Sequence, residues 1–380
     1  MEFKQSEMHQ DLINMYREFA EAEVAPLAAD IDKTERFPEE TVAKMAEMGL
    51  LGIPFPEEYG GTGMDNLSYI QCVEELSKVC ATTGVIVSAH TSLCATPIYL
   101  FGTEEQKQKY LAPLAKGEKL GAFGLTEPGA GTDASLQKTT AILDGDSYVL
   151  NGTKCFITNA GPAEIYIVMA MTNKEQGTRG ISAFIVEKGT PGFTIGKHED
   201  KMGIRASATC ELIFEDCRIP KENILGEEGK GFKFSMMALD GGRIGIAAQA
   251  LGIAQGAINE TVKYVSVRTQ FGKRISQFQN TQFELAQMQA NTEAARLLVY
   301  QAACAKDAHE PYSHLAAMAK LVASQNASDV TRRCLQLYGG YGYVKEYPIE
   351  RMMRDAKITE IYEGTSEVQK MVISGWMGVK

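Results

Sequence analysis

The 380-residue chain contains no CxxC pair and no HExxH, and its eight cysteines (72, 80, 94, 155, 210, 217, 304 and 334) stand singly. That spacing builds neither a zinc site nor a disulfide framework, so reduced, buried thiols are expected and metal catalysis drops out early. Basic charge is short as well: 38 Lys and Arg face 48 Asp and Glu, a formal net charge of −10. Sequence-independent nucleic-acid binding depends on basic surface and is excluded; an anionic ligand would need a few local cations. Uninterrupted apolar runs stay well below the ~20 residues of a membrane helix, so no membrane insertion is expected. The start, MEFKQSEMHQDLINMYREF, is amphipathic and acidic rather than basic-then-apolar, so no targeting segment is read there. That argues for a cytoplasmic protein of bacterial type, or for a mitochondrial-matrix protein if the chain is a processed organellar form.

What remains is an ordinary globular composition, 44% apolar and 23% charged, at a length that suits two or three domains. The first third reads as helix. In RFPEETVAKMAEMGLLG, Pro38 suits a first turn, Glu39 and Glu40 suit the helix dipole, and Gly49 suits the stop. Thr103 to Gln106 is a capping box opening a helix through KQKYLAPLAKG, which Pro113 should end or kink. From about residue 122, short β-branched runs take over: AILDGDSYVLNG, EIYIVMAM, ISAFIVE, GFTIG and CELIFED. Asp144-Gly145 and Pro191-Gly192 are turn signals between them. After GEEGKG, long helical periodicities return, beginning with GGRIGIAAQALGIAQGAINETVKYV, whose small residues predict tight packing against a neighbour. The expected fold is mainly α with a central β domain: an N-terminal helical domain (1–121), a middle β-barrel or sandwich (122–226) and a C-terminal four-helix bundle (227–380).

Three short patterns suggest chemistry on their own. Gly129-Ala-Gly131-Thr-Asp-Ala134 fits the loose dinucleotide pattern, but Pro128 precedes it and strand-like sequence follows, so a glycine-rich anion loop is the better local reading. Ser135 and Lys138 have the SxxK spacing of serine acylases, without the companion elements, which leaves a serine acyl hydrolase as a distant alternative. Glu363 stands between Tyr362 and Gly364, just before a terminal helix that Thr365 or Ser366 would cap. Taken singly, Arg243 and Arg268 read as solvated or salt-bridged arginines. A helical assembly protein without any activity also remains open at this point.

Eight separated motifs together carry more. LTEPGAGTDAS (125–135), LNGTKCFITNAG (150–161), KMGIRAS (201–207), IFEDCRIPKENILG (213–226), LDGGRIGIAAQALGIAQGA (239–257), RTQFGKRISQFQ (268–279), LQLYGGYGY (335–343) and RDAKITEIYEGTSEVQ (354–369) stand in order along the chain. In them the whole chain resembles the acyl-CoA dehydrogenase family, its short-chain (butyryl-CoA) branch most closely. The resemblance implies a three-domain fold, FAD as cofactor, an acyl-CoA substrate, electron-transferring flavoprotein as acceptor, and a homotetramer built as a dimer of dimers. An oxidase or an enoyl-CoA reductase on the same scaffold stays open.

By the same resemblance Glu363 is the base that takes the α-proton, its backbone N–H meets the thioester oxygen, and Gly364 permits close approach of the backbone. Phe123, Leu125, Thr126, Gly131 and Thr132 are implied around the flavin, its pyrophosphate and the thioester. Phe156, Ile157 and Thr158 are implied on the other flavin face; many relatives carry tryptophan where Phe156 stands. Arg268, Phe271, Gln279, Gln336, Leu337, Gly339 and Gly340 would reach the FAD of a neighbouring subunit, and Thr365 and Glu367 the adenosine half. Thr132, Asp240, Arg243, Tyr362 and Gly364 would serve the substrate. Relatives of isovaleryl and long-chain type carry the base on the helix of LDGGR, where this chain has Gly241 and Gly242. Glu363 is therefore the candidate here.

Overall fold

The computed structural model describes residues 6–379; residues 1–5, which open the amphipathic N-terminal stretch, and Lys380 lie outside it. Helix Glu7–Phe19 starts at Ser6, whose hydroxyl accepts the His9 N–H at 3.2 Å. Helix Glu39–Glu47 follows Pro38, and the chain turns out of it at Gly49 with φ +71°. The Thr103–Gln106 capping box forms with both reciprocal bonds.

Pro113 does not break its helix. A π-helical turn over Lys107–Leu111 hands over to Ala112–Ala115, and the chain reverses only at Gly117, φ +73°. Proline near the start of a new helical register loses no hydrogen bond, because that N–H has no intrahelical acceptor to give up. A second departure concerns hydropathy. Ala81–Phe101 is one 21-residue helical stretch long and apolar enough to cross a membrane, and 83% of its most apolar window is buried inside the protein. Polar side chains punctuate it, which is why no run in the sequence revealed it. Among them His90 is fully buried, accepts the Gly121 N–H, and is pushed down to about 4 by burial.

The middle of the chain is a seven-stranded sheet. β1 (Gly121–Gly124), β2 (Thr140–Asp144), β3 (Ser147–Thr158), β4 (Ile165–Met171), β5 (Ile181–Glu187), β6 (Phe193–His198) and β7 (Thr209–Pro220) are ordered β1-β4-β2-β3-β7-β6, with β5 on β4. β1 and β4 pair in parallel and β2 with β3 antiparallel across Gly145, φ +65°. Strand β4 is buried along its whole length. Tyr166, Val168 and Ala170 face the sheet interior, while Ile165, Ile167, Met169 and Met171 face the helices around residues 89–115. The period of two in EIYIVMAM thus serves two cores at once.

Helix Gly231–Val267 has 37 residues, about 55 Å of rise, and joins the two helical regions in one core. Its small residues do what their spacing implied. A Cβ at Gly245, Gly252 or Gly256 would lie 2.3 Å from Ser88, 2.4 Å from the Glu74 carbonyl and 2.0 Å from the Lys78 carbonyl respectively. Helices Gln279–Asp307 and Ser313–Tyr338 pack beside it, followed by Ile349–Ile358 and Ser366–Trp376. The eight cysteines are free, seven of them buried.

Candidate active site

The turn between the last two helices is the most unusual stretch of backbone near a cleft. Glu363 (φ +48°) and Gly364 (φ +91°) are consecutive residues in the left-handed region, which a non-glycine residue adopts only under constraint. The constraint is visible. The Gln369 side-chain amide donates to the carbonyls of Glu363 (3.2 Å) and Gly364 (2.8 Å), and the Lys320 ammonium donates to the Gly364 carbonyl at 2.7 Å. On the other side the Tyr362 hydroxyl bonds the Gln249 amide oxygen, and the Gln249 amide donates to the Ala81 carbonyl at 2.8 Å. With both carbonyls taken from behind, the Glu363 N–H and carboxylate have no hydrogen-bond partner among the described residues.

Glu363 is enclosed by protein mass yet keeps a slit of exposure, as expected at the floor of a cleft. Burial pushes its carboxyl up to about 7, against the pull of the Lys320 ammonium and the Arg243 guanidinium. Arg243 is buried, bonded to Asp240, and its Nε has no partner; Asp240 also accepts the Ser313 hydroxyl at 2.9 Å. Gly242 explains itself by space, because a Cβ there would stand 2.9 Å from Leu93 and 3.2 Å from the Glu363 Cγ. The helix passes so close that only glycine leaves room for the carboxylate.

A second candidate element is the loop leaving β1. Glu127 and Lys154 form a fully enclosed pair at 2.7 Å. Lys154 also donates to Leu125 carbonyl (3.2 Å) and Gln137 (3.0 Å), while Glu127 accepts the Lys138 and Thr139 N–H groups at 2.6 and 3.0 Å. The loop 127–138 is thereby closed at its base, and the Thr126 carbonyl accepts the Cys155 N–H from β3 at 2.9 Å. At its tip a Cβ on Gly129 or Gly131 would meet nothing within 4 Å, and the N–H groups of Gly129, Gly131 and Thr132 have no acceptor among the described residues. An open glycine loop with free N–H donors suits a pyrophosphate, so the chain fits FAD.

Phe123 and Leu125 are buried in the apolar cluster between sheet and helices, where they support the loop from below. Phe156, at φ +59°, is 64% exposed, and Thr158 is half-buried on the same strand. The Ile157 side chain lies in the sheet interior, turned there by the β-bulge between Lys154 and Ile157, so what it offers the flavin side is backbone. Thr365 sits at the N-cap of the last helix and Glu367 is exposed in its first turn. Arg268, Phe271, Gln279, Gln336, Leu337, Gly339 and Gly340 form a different surface. Phe271 is 94% exposed, the Arg268 guanidinium lies 5.1 Å over Tyr341, and Gln336 is sixteen residues, about 24 Å, along the helix from Lys320. The SxxK pattern has no chemistry, since the Ser135 hydroxyl bonds Asp133 and not Lys138.

Sequence reasoning passed over Lys320, Gln369, Gln249 and the Glu127–Lys154 pair. Lys320 left one sign, a lone cation within the small and apolar AAMAKLVAS. Among the described residues no cluster of metal ligands exists.

Fold and site together define a flavoprotein oxidoreductase, and the family comparisons agree. Acyl-CoA dehydrogenase domains match in chain order: the N-terminal domain over residues 6–118, the middle domain over 122–217 and the C-terminal domain over 229–378. The chain belongs to the acyl-CoA dehydrogenase family, whose members depend on FAD. It is 62% identical over 375 residues to a short-chain specific acyl-CoA dehydrogenase of Clostridium acetobutylicum, covering 99% of each chain. The structure of butyryl-CoA dehydrogenase from Megasphaera elsdenii is similar with a TM-score of 0.98 and 54% identity, over 99% of this chain and all of that one. A chain in a structure described as the electron transferring flavoprotein of Acidaminococcus fermentans matches with TM-score 0.98 and 59% identity, over 99% of both.

Proposed function

We propose that this protein dehydrogenates short-chain acyl-CoA thioesters of the butyryl type to trans-2-enoyl-CoA and passes the electrons to an electron-transferring flavoprotein. One observation carries the assignment of the base: Glu363 is the carboxylate at the cleft floor that no neighbour hydrogen-bonds, beside its own free N–H. An α-proton next to a thioester is far less acidic than a carboxylic acid, so the site must supply both a desolvated base and a donor for the developing enolate oxygen. Glu363 supplies the first with its carboxylate and the second with its backbone N–H. Arg243, buried with one N–H free, is the cation for the CoA side, and Asp240 holds it in place. The backbone of residues 129–132 and the exposed face at Phe156 and Thr158 would hold FAD, which when bound accepts the β-hydrogen as a hydride. Thr365 and Glu367 border its adenosine half.

Gln336 and Leu337 lie too far along their helix from Lys320 to serve the same cleft, and the surface they share with Arg268, Phe271, Gln279, Gly339 and Gly340 is a separate one in this reading. We assign it to the FAD of a neighbouring subunit in a homotetramer, with domain boundaries at 121/122 and 226/227 and a cytoplasmic location of bacterial type, or the mitochondrial matrix for a processed organellar form. The test is direct: anaerobic addition of butyryl-CoA should bleach the flavin absorbance. Glu363→Gln should keep FAD and bind butyryl-CoA yet bleach slower by several orders of magnitude, and near-normal bleaching would remove Glu363 as the base.

A further inference from the structure

Lys320 has no exposed surface, although an ammonium is costly to bury without compensation. Its neighbours along the helix, Ala316, Ala317, Ala319 and Ala323, are buried and small, so an apolar side chain would fill the same space more cheaply. Among the described residues its Nζ makes a single hydrogen bond, to the carbonyl of Gly364, and no carboxylate comes within ion-pair distance of it. The charge therefore does not close a structural salt bridge. It is spent on the peptide that follows Glu363 and on the field around that residue. Gln369 engages the same carbonyl and the one before it, which pins the two left-handed residues from behind.

We propose, resting on Glu363 as the base, that Lys320 is its positioning residue: the ammonium locks the Gly364 peptide so that carboxylate and N–H stay aimed into the cleft, and its charge favours the ionised carboxylate. Other groups act on Glu363 as well. Arg243 approaches from helix Gly231–Val267 with Asp240 as its partner, the Tyr69 phenol from helix Asn66–Val79, and Tyr362 from its own turn. Burial pushes the Lys320 ammonium down to about 8, and Glu363, Glu360 and Glu367 act against that by supporting its charge. Among these, Arg243 is tied to Asp240 in a direct ion pair, whereas Lys320 has no carboxylate in contact among the described residues.

The experiment separates charge from hydrogen bonding. Lys320→Met removes both, Lys320→Gln keeps a donor without charge, and Lys320→Arg keeps charge with altered reach. Two readouts are followed against pH: the anaerobic bleaching rate with butyryl-CoA, and the infrared band of the protonated carboxyl that vanishes in Glu363→Gln. Both neutral variants should move the two midpoints to alkaline pH by about 1 unit or more. Lys320→Arg should restore the midpoint, and only Lys320→Gln should keep the limiting rate within about tenfold of wild type. Unchanged midpoints in the neutral variants would overturn the proposal, as would loss of flavin and folded yield in all of them, the mark of a purely structural lysine. If Glu363→Gln itself bleaches normally, the base assignment has failed instead.

Discussion

Two glutamates, each beside a buried lysine, behave in opposite ways. Glu127 touches Lys154 directly, accepts two backbone N–H groups, and is held below the usual carboxylate range despite its burial. Glu363 has Lys320 in its field but not in contact, its carboxylate accepts no hydrogen bond among the described residues, and it is pushed up to about 7. The residue types are alike and Glu127 is the less exposed of the two, yet its carboxylate is filled by donors whereas that of Glu363 is not. A filled carboxylate is a structural tie, and one left empty next to a cation keeps its affinity for a proton that arrives with a ligand.

Several substitutions can break this contrast. The largest effect is expected at Glu363→Gln, with bleaching slower by several orders of magnitude in stopped-flow at pH 8. Next comes Lys154→Met, which strands Glu127 as a buried charge. The cost should be about 3–5 kcal/mol, with weaker FAD retention on a desalting column and a lower Tm by scanning calorimetry. Glu127→Gln combined with Lys154→Met should recover part of that loss, because no lone charge remains. Gly242→Ala pushes a methyl against Leu93 and the base, and should cost about tenfold in kcat with FAD content unchanged. The smallest effect is on stability. Glu363 has its pKa raised on folding, so the wild type loses stability as pH rises from the unfolded value near 4.3 through about 7. Glu363→Gln should therefore melt higher than wild type at pH 8, by on the order of 1–3 kcal/mol, and equal it near pH 4.

The same contrast separates what the sequence disclosed from what it hid. Local devices were legible: the Thr103–Gln106 box, the Asp144-Gly145 hairpin and the glycine-lined helix each rest on residues close in sequence. Glu363 stood out because Gly364 follows it in a motif. Lys154 lies 27 residues from Glu127, and Lys320 lies 44 from Gly364, so no spacing rule joins them. Pro113 misled because a proline's meaning depends on the helical register before it, which a π-turn had shifted. The inward turn of the Ile157 side chain was not legible because it depends on a β-bulge whose register is set by the pairing of β3 with β7, about 50 residues away.

Helix Gly231–Val267 acts as a ruler. It carries Arg243 to the cleft and ends at Arg268, 25 residues and about 38 Å away, with three glycines seating it on the N-terminal helices in between. Adding one residue midway would turn the far end by about 100° while leaving the near end in place. Both ends are thus phased to each other. A lengthened helix would keep Arg243 in place and turn Arg268 and the exposed surface beside it to a different side of the molecule.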